Sequence, residues 1–397
     1  MGFDAKLRFI VTSDIHYKVD SDIEKDRFEK GMQKAYEYAS GESYKGIDAF
    51  FAVGDFANRG QADEMLKFKK SLDTVIAPET KITLMLASHE FMSEGQEAAR
   101  EKLMNIYGMD PDTHFNIKGC NFICISTEDG CRMREKKQEW LKEKLSLSVK
   151  DGRKAPIFVF QHPHLTDTVY GSINWGEDDI TAILMDYPQV IDFSGHSHAP
   201  INDPRSIHQK YVTSLNTGSF SYFELDEFDL MYGTVPPDAK QCAQFYIVEV
   251  NEANAVRILS YDILTERFFD NEYLIETPWD PDSFVYTPDR ALAEPKPYFT
   301  ADTVCDIKFE DNKLHVEFAQ AKTDGYRVNA YTLAVKNSDG EVFLQKKVAS
   351  SYYLNDMPEK MAVSFDFPFS AGEYSLEITA HGFWIVKSDK LTYKFSV

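Results

Sequence analysis

Short apolar runs alternate with amphipathic stretches through the first half of the 397-residue chain. Strand-length runs lie at Leu7–Thr12, Asp48–Val53, Lys81–Ala87, Asn121–Ser126, Ile157–Phe160 and Val190–Phe193. Between several of them the pattern changes. In Asp22–Ala39 the apolar residues Ile23, Phe28, Met32, Ala35 and Tyr36 mostly step by three or four, the spacing of a helix with one apolar face. Strands alternating with helices predict an α/β layer architecture. From Tyr211 only strand-like runs follow, at Tyr211–Leu215, Gln244–Val250 and Ala255–Tyr261. The expectation is that they build a second sheet packed on the first.

The pattern changes again at residues 277–298, a proline-dense stretch that reads as a linker. Beyond it, strand-like segments recur at Val304–Phe309, Lys313–Phe318, Tyr331–Val335, Val342–Val348, Met361–Phe367, Tyr374–Thr379 and Leu391–Val397, separated by turns such as Asp339-Gly340. Many short strands at this spacing predict a β-sandwich of the immunoglobulin or fibronectin kind. The expected organisation is an α/β domain over 1–276, the linker over 277–298, and an all-β domain over 299–397.

Composition narrows the partners. With 43% hydrophobic and 27% charged residues, the chain can bury a core and does not read as disordered. The formal net charge of −21 opposes long nucleic acids, whose binding depends on Lys and Arg displacing counterions. A small anion is still admitted if metal ions supply positive charge locally. Cys120, Cys124, Cys131, Cys242 and Cys305 show no regular spacing and read as buried free thiols in a reducing compartment. No leader-like segment precedes Leu7, and no apolar run approaches the roughly 18 residues of a membrane span. A cytoplasmic protein without membrane contact is expected.

Five short clusters carry candidate chemistry. They are Asp14-Ile15-His16, Gly54-Asp55 with Asn58-Arg59-Gly60, Ser88-His89-Glu90, Gln161-His162-Pro163-His164, and Gly195-His196-Ser197-His198. Taken singly each has a bland reading; a Gly-Asp after a strand is usually a turn. In an α/β sheet, however, loops beyond strand C-termini gather at one edge, so these clusters would meet. Asp14, His16, Asp55, His162, His196 and His198 together offer the oxygen and imidazole donors that divalent first-row metals accept. The donors suffice for two ions if one carboxylate bridges. Such a pair holds a hydroxide and polarises a phosphoryl oxygen.

This ordered set resembles the calcineurin-like metallophosphoesterase superfamily over roughly residues 5–275, and within it the class III cyclic-nucleotide phosphodiesterases. The resemblance implies a two-sheet α/β sandwich that hydrolyses a small phosphate ester. It places one metal on Asp14, His16 and His198 and another on His162 and His196, with Asp55 bridging. His89 would assist the leaving group, and Arg59 would contact phosphate. The ions would be divalent or trivalent: Mn, Fe or Zn. One position departs from the family pattern, because Ser88 stands where an Asn ligand is usual. A hydroxyl is shorter and a poorer ligand, so weaker binding of the second metal is expected there. The alternatives are a phosphomonoesterase of the same fold, or a catalytically impaired binding or scaffold protein. His164 reads equally as a neighbour of the ligands or as a surface histidine. Tyr170–Trp175 reads either as a pocket roof or as a loop packed on the core. Arg205 is close enough in sequence to His198 to be weighed as a phosphate contact.

Overall fold

The computed structural model describes residues 3–152, 154–225, 243–366 and 371–397. Cys242 lies outside the described residues. The described chain separates into two compact units, residues 3–225 with 243–288, and residues 289–397. The division between Pro288 and Asp289 falls inside the proline-dense stretch, where short 3-10 turns occupy Pro281–Ser283 and Pro288–Ala291.

The first unit runs β1 (Ala5–Thr12), α1 (Ile23–Gly41), β2 (Ala49–Ala52), α2 (Ala62–Val75), β3 (Lys81–Leu84), α3 (Gly95–Lys102), β4 (Asp112–Ile117), β5 (Cys120–Ile125), α4 (Glu135–Ser148) and β6 (Ile157–Phe160). It continues with β7 (His164–Leu165), α5 (Ser172–Trp175), β8 (Gly176–Glu177), α6 (Thr181–Leu184), β9 (Val190–Ser194), β10 (Ile207–Gln209), β11 (Thr213–Asn216), β12 (Gln244–Asn251), β13 (Val256–Asp262) and β14 (Arg267–Ile275).

Two six-stranded mixed sheets result, in the orders β14-β13-β12-β1-β2-β3 and β10-β11-β9-β6-β5-β4. This corrects one expectation. The strands after Tyr211 do not form a separate second sheet: β11 pairs with β9, whereas β12 lies antiparallel against β1 and brings β13 and β14 with it. The second sheet is instead built mainly from strands of the first half.

The inner strands read as continuous apolar runs because both of their faces are covered. Between the sheets sits a core containing Phe9, Phe51, Phe122, Phe158, Phe160 and Phe193. Phe51 and Phe160 stack across it at 4.0 Å. Burying each such ring contributes about 1.5–3 kcal/mol. On the outer face of the first sheet, Phe28, Met32, Ala35 and Ala39 of α1 pack with Phe68 and Leu72 of α2. On the outer face of the second, Leu141 and Leu145 of α4 do the same. The α1 stripe is narrower than the pattern predicts, since Ile23 is exposed.

Register aligns the strand ends. Thr12 pairs with Ala52, which pairs with Leu84, so the chain leaves β1, β2 and β3 at one level. In the second sheet Phe160 pairs with Phe193 and Ser194 with Asn216.

The second unit is all β: β15 (Cys305–Glu310), β16 (Lys313–Ala319), β17 (Ala330–Lys336), β18 (Val342–Ala349), β19 (Lys360–Asp366), β20 (Glu373–His381) and β21 (Leu391–Ser396). They form antiparallel sheets β15-β16-β19 and β18-β17-β20-β21, which share a core of alternate residues such as Leu314, Val316 and Phe318. Among the described residues no helix is long and apolar enough to cross a membrane.

Candidate metal centre

The predicted ligands follow the C-terminal ends of parallel strands: Asp14 and His16 after β1, Asp55 after β2, Ser88 and His89 after β3, His162 after β6, and His196 and His198 after β9. Turning these side chains inward requires tight backbone. Asp14, His16, Asp55, His196 and His198 all adopt positive φ, from 50° to 72°, a region that side chains other than glycine seldom occupy and that concentrates at functional sites. Gly54 has φ 86°, and a Cβ there would lie 2.6 Å from His162 Nδ1. Only a bare backbone fits between the two loops.

The side chains converge. Asp14 Oδ1 lies 3.2 Å from His198 Nε2 and 3.9 Å from both His16 Nε2 and His162 Nε2. His16 Nε2 and His198 Nε2 face each other at 3.1 Å. Asp55 Oδ2 is 3.1 Å from His162 Nε2 and 3.9 Å from His89 Nε2. Three donor groups result: Asp14, His16 and His198; Asp55, His162 and His196; and His16, Asp55 and His89.

Hydrogen bonds on the outer side decide which atoms face inward. Asp14 Oδ2 accepts from Ser13 Oγ and from the His196 N–H, leaving Oδ1 toward the cluster. His162 Nδ1 donates to the Val53 carbonyl at 2.7 Å, His198 Nδ1 to that of Tyr222 at 3.1 Å, and His89 Nδ1 to that of Asn58 at 2.7 Å. A carbonyl can only accept, so each Nδ1 carries a proton and each Nε2 is the end turned to the site. Asp14 Oδ1 and His162 Nε2 are buried without a hydrogen-bond partner. Buried polar atoms are normally paired, and a cation satisfies both a carboxylate oxygen and an imidazole nitrogen. The residues present therefore fit metal ions.

The field has the same sense. Burial alone raises the Asp14 pKa, but His198 and His162 outweigh it and hold the carboxyl below its usual range. Burial lowers His162, but Asp55 and Asp14 reverse this and push it up to about 10. Two buried carboxylates thus draw positive charge into the cluster. Burial, followed by the charge of His162, takes His196 down to about 4.

The remaining predicted residues occupy the margin. His89 is partly exposed, its ring edge-on to His16 at 4.4 Å. Ser88 directs its hydroxyl to the Asp55 carboxylate, donating at 3.1 Å to Oδ2 and approaching Oδ1 at 3.3 Å. Arg59 is exposed; Glu64 Oε2 accepts from its backbone N–H at 2.8 Å, and its guanidinium makes no ion pair among the described residues. Arg205 pairs with Asp203 at 2.7 Å and lies over the Tyr170 ring. His164 is buried rather than on the surface: Nε2 meets Ser197 Oγ at 2.7 Å and Nδ1 meets Ser194 Oγ at 2.8 Å. Burial pushes it down to about 3.

Several neighbours of the cluster were not assigned from sequence. Trp175 stands edge-on to His196 at 4.7 Å, so one aromatic of the Tyr170–Trp175 stretch does reach a ligand. Tyr222 packs on His198 at 4.3 Å. Cys131 Sγ lies 3.3 Å from His196 Nε2, carried there by a turn with positive φ at Asp129 and Gly130. Glu90 sits beneath Asp55. Trp175 and Glu90 lay inside stretches already singled out, without a role of their own, whereas nothing in the sequence drew Tyr222 or Cys131 to the site.

The sequence profile of the calcineurin-like phosphoesterase family matches residues 7–200. No curated protein matches in sequence. Among solved structures, a purple acid phosphatase from yellow lupin (Lupinus luteus) seeds is similar at a TM-score of 0.50 and 14% identity, over 68% of this chain and 53% of that one. The chain therefore spans about half the length of that enzyme, and at this identity the likeness is one of fold. The extracellular domains d3–d4 of rat CD45 align at a TM-score of 0.21 and 12% identity, over 32% of this chain and 56% of that one, too low to bear on the fold. Residues 7–200 thus match the calcineurin-like phosphoesterase family, and the Asp and His cluster that they enclose agrees with a phosphoesterase hydrolase.

Proposed function

We propose that the chain hydrolyses a small phosphate ester, first of all a phosphodiester such as a cyclic nucleotide, with two metal ions held by the converged Asp and His side chains. The observation that carries this reading is the inward-facing donor set, in which Asp14 Oδ1 and His162 Nε2 are buried and meet only other members of the set. Asp14, His16 and His198 would hold one ion, and His162 and His196 the other, with Asp55 between them. Mn, Fe and Zn all accept such a mixture. When bound, the ions supply Lewis-acid charge and an activated water at neutral pH.

The chain's own groups do the rest. Val53, Tyr222 and Asn58 carbonyls fix the imidazole orientations. His89 turns Nε2 to the site and would deliver a proton to the departing alkoxide. Arg59, exposed at the rim, is read as a contact for phosphate. Ser88 leaves the second ion with fewer protein donors than an Asn would. The net charge of −21 favours a small substrate over a polynucleotide. The unpaired Cys120, Cys124, Cys131 and Cys305 support a reducing, cytoplasmic setting. We read residues 299–397 as a separate module of the immunoglobulin or fibronectin kind, supported by its two antiparallel sheets.

The test is hydrolysis of bis(p-nitrophenyl) phosphate, p-nitrophenyl phosphate and a cyclic nucleotide by protein supplied with Mn²⁺, beside Asp14→Asn. Turnover that needs both the metal and Asp14 is the expected result. Tight metal uptake with no turnover on any ester would favour the binding-protein alternative.

A further inference from the structure

We infer that Glu90 is a positioning residue for the metal centre, setting the backbone of the two loops that carry Asp55, Ser88 and His89; this rests on the metal-binding reading above. Glu90 is fully buried in the short 3-10 turn His89–Phe91. Its Oε2 accepts from the backbone N–H groups of Asp55 and Ala87, both at 3.0 Å, and its Oε1 from that of Ala57 at 2.9 Å. These N–H groups lie beyond the ends of β2 and β3, and the two oxygens of the Glu90 carboxyl group supply the acceptors that the strand ladders no longer provide.

The consequence falls on Asp55. Glu90 accepts from its N–H, while the His16 N–H donates to its carbonyl at 3.0 Å. The peptide on either side of this residue is therefore clamped, and its φ of 51° is maintained. The loop also closes around Glu90 itself: a Cβ on Gly60 would lie 2.0 Å from the Glu90 carbonyl oxygen. Glu90 belongs to none of the donor groups, and both of its oxygens are occupied by backbone. It acts through Asp55 and not on the cation.

Glu90→Gln keeps the shape but replaces one acceptor oxygen with a donor. Mn²⁺ titration calorimetry should show affinity reduced about 10–100-fold, the usual effect of losing a partner behind a ligand. Amide exchange of the metal-free variant should be at least about tenfold faster at Asp55, Ala57 and Ala87. Asp48→Asn is the control, because Asp48 accepts from the Arg8 N–H at 3.0 Å at the opposite end of β2. It should lower Tm while leaving Mn²⁺ affinity within about twofold, as expected of a remote site. If Glu90→Gln binds Mn²⁺ like the native protein, or if Asp48→Asn weakens binding as much, the assignment to Glu90 is overturned while the metal centre stands. If the native protein takes up no Mn²⁺, the metal reading itself fails, and this one with it.

Discussion

Asp192 on β9 is fully buried, and its Oδ1 has no hydrogen-bond partner; Gln161 Nε2 approaches the other oxygen at 3.4 Å. Ser214, directly opposite on β11, also has an unpartnered hydroxyl. Burial pushes the Asp192 carboxyl from the ordinary 3.8 up to about 8, with Gln161 offsetting only part. The folded protein therefore keeps a proton that the unfolded chain releases near pH 4. Its stabilising contribution is complete below that pH and is lost as pH rises toward 8. At about 1.4 kcal/mol per tenfold change in proton affinity, this span sets a ceiling of roughly 6 kcal/mol; relaxation around a charged group brings the expectation to about 2–3 kcal/mol. Asp192→Asn supplies a permanently neutral side chain of the same shape. For a domain of roughly 250 residues, its Tm advantage over the native protein should be about 4–6 °C at pH 8.5 and close to zero at pH 4.5. Thermal unfolding of both proteins at these two pH values gives the answer. An advantage independent of pH, or one larger in acid, would refute the reasoning.

Other outcomes follow from the metal centre. Mn²⁺ at about 100 times its Kd should stabilise the fold by about 2.7 kcal/mol, reversed by a chelator, and an unchanged unfolding curve would count against a preformed site. Ser88→Asn places an amide oxygen where the hydroxyl now serves Asp55, and should tighten the weaker cation by about tenfold in a metal titration; unchanged or weaker binding would count against the reading of Ser88. His89→Ala should slow esters with poor leaving groups by about 10²–10⁴ while sparing p-nitrophenyl esters; equal losses on both remove the proton-donor role. Gly54→Ala forces a Cβ to 2.6 Å from His162 Nδ1 at φ 86°, and should cost about 1–3 kcal/mol in chemical denaturation together with reduced metal uptake.

Much of this was readable because parallel inner strands leave unbroken apolar runs, and each run marks where its following loop begins. Asp14, Asp55, His162 and His196 are legible as site residues for that reason. Partner choice was not legible. Nothing local in Gln244–Asn251 says that it pairs antiparallel with β1, since that pairing joins residues far apart in sequence. β4 escaped notice because its residues are only half-buried and mixed in polarity, and β14 because exposed polar residues break its alternation. Cys131 reads as an ordinary core thiol in sequence; only the turn at Asp129-Gly130 delivers it to His196. The role of Glu90 was hidden for a related reason, because its partners are main-chain N–H groups that no side-chain pattern reveals.

The donors divide between the two sheets, with Asp14, His16 and Asp55 on one and His162, His196 and His198 on the other. A cation seated among them would rivet the halves of the sandwich at their open rim, where the phenylalanine interior no longer reaches. The centre would then be complete only once both halves have formed and closed, and loss of the ion would be felt first as a parting of that rim.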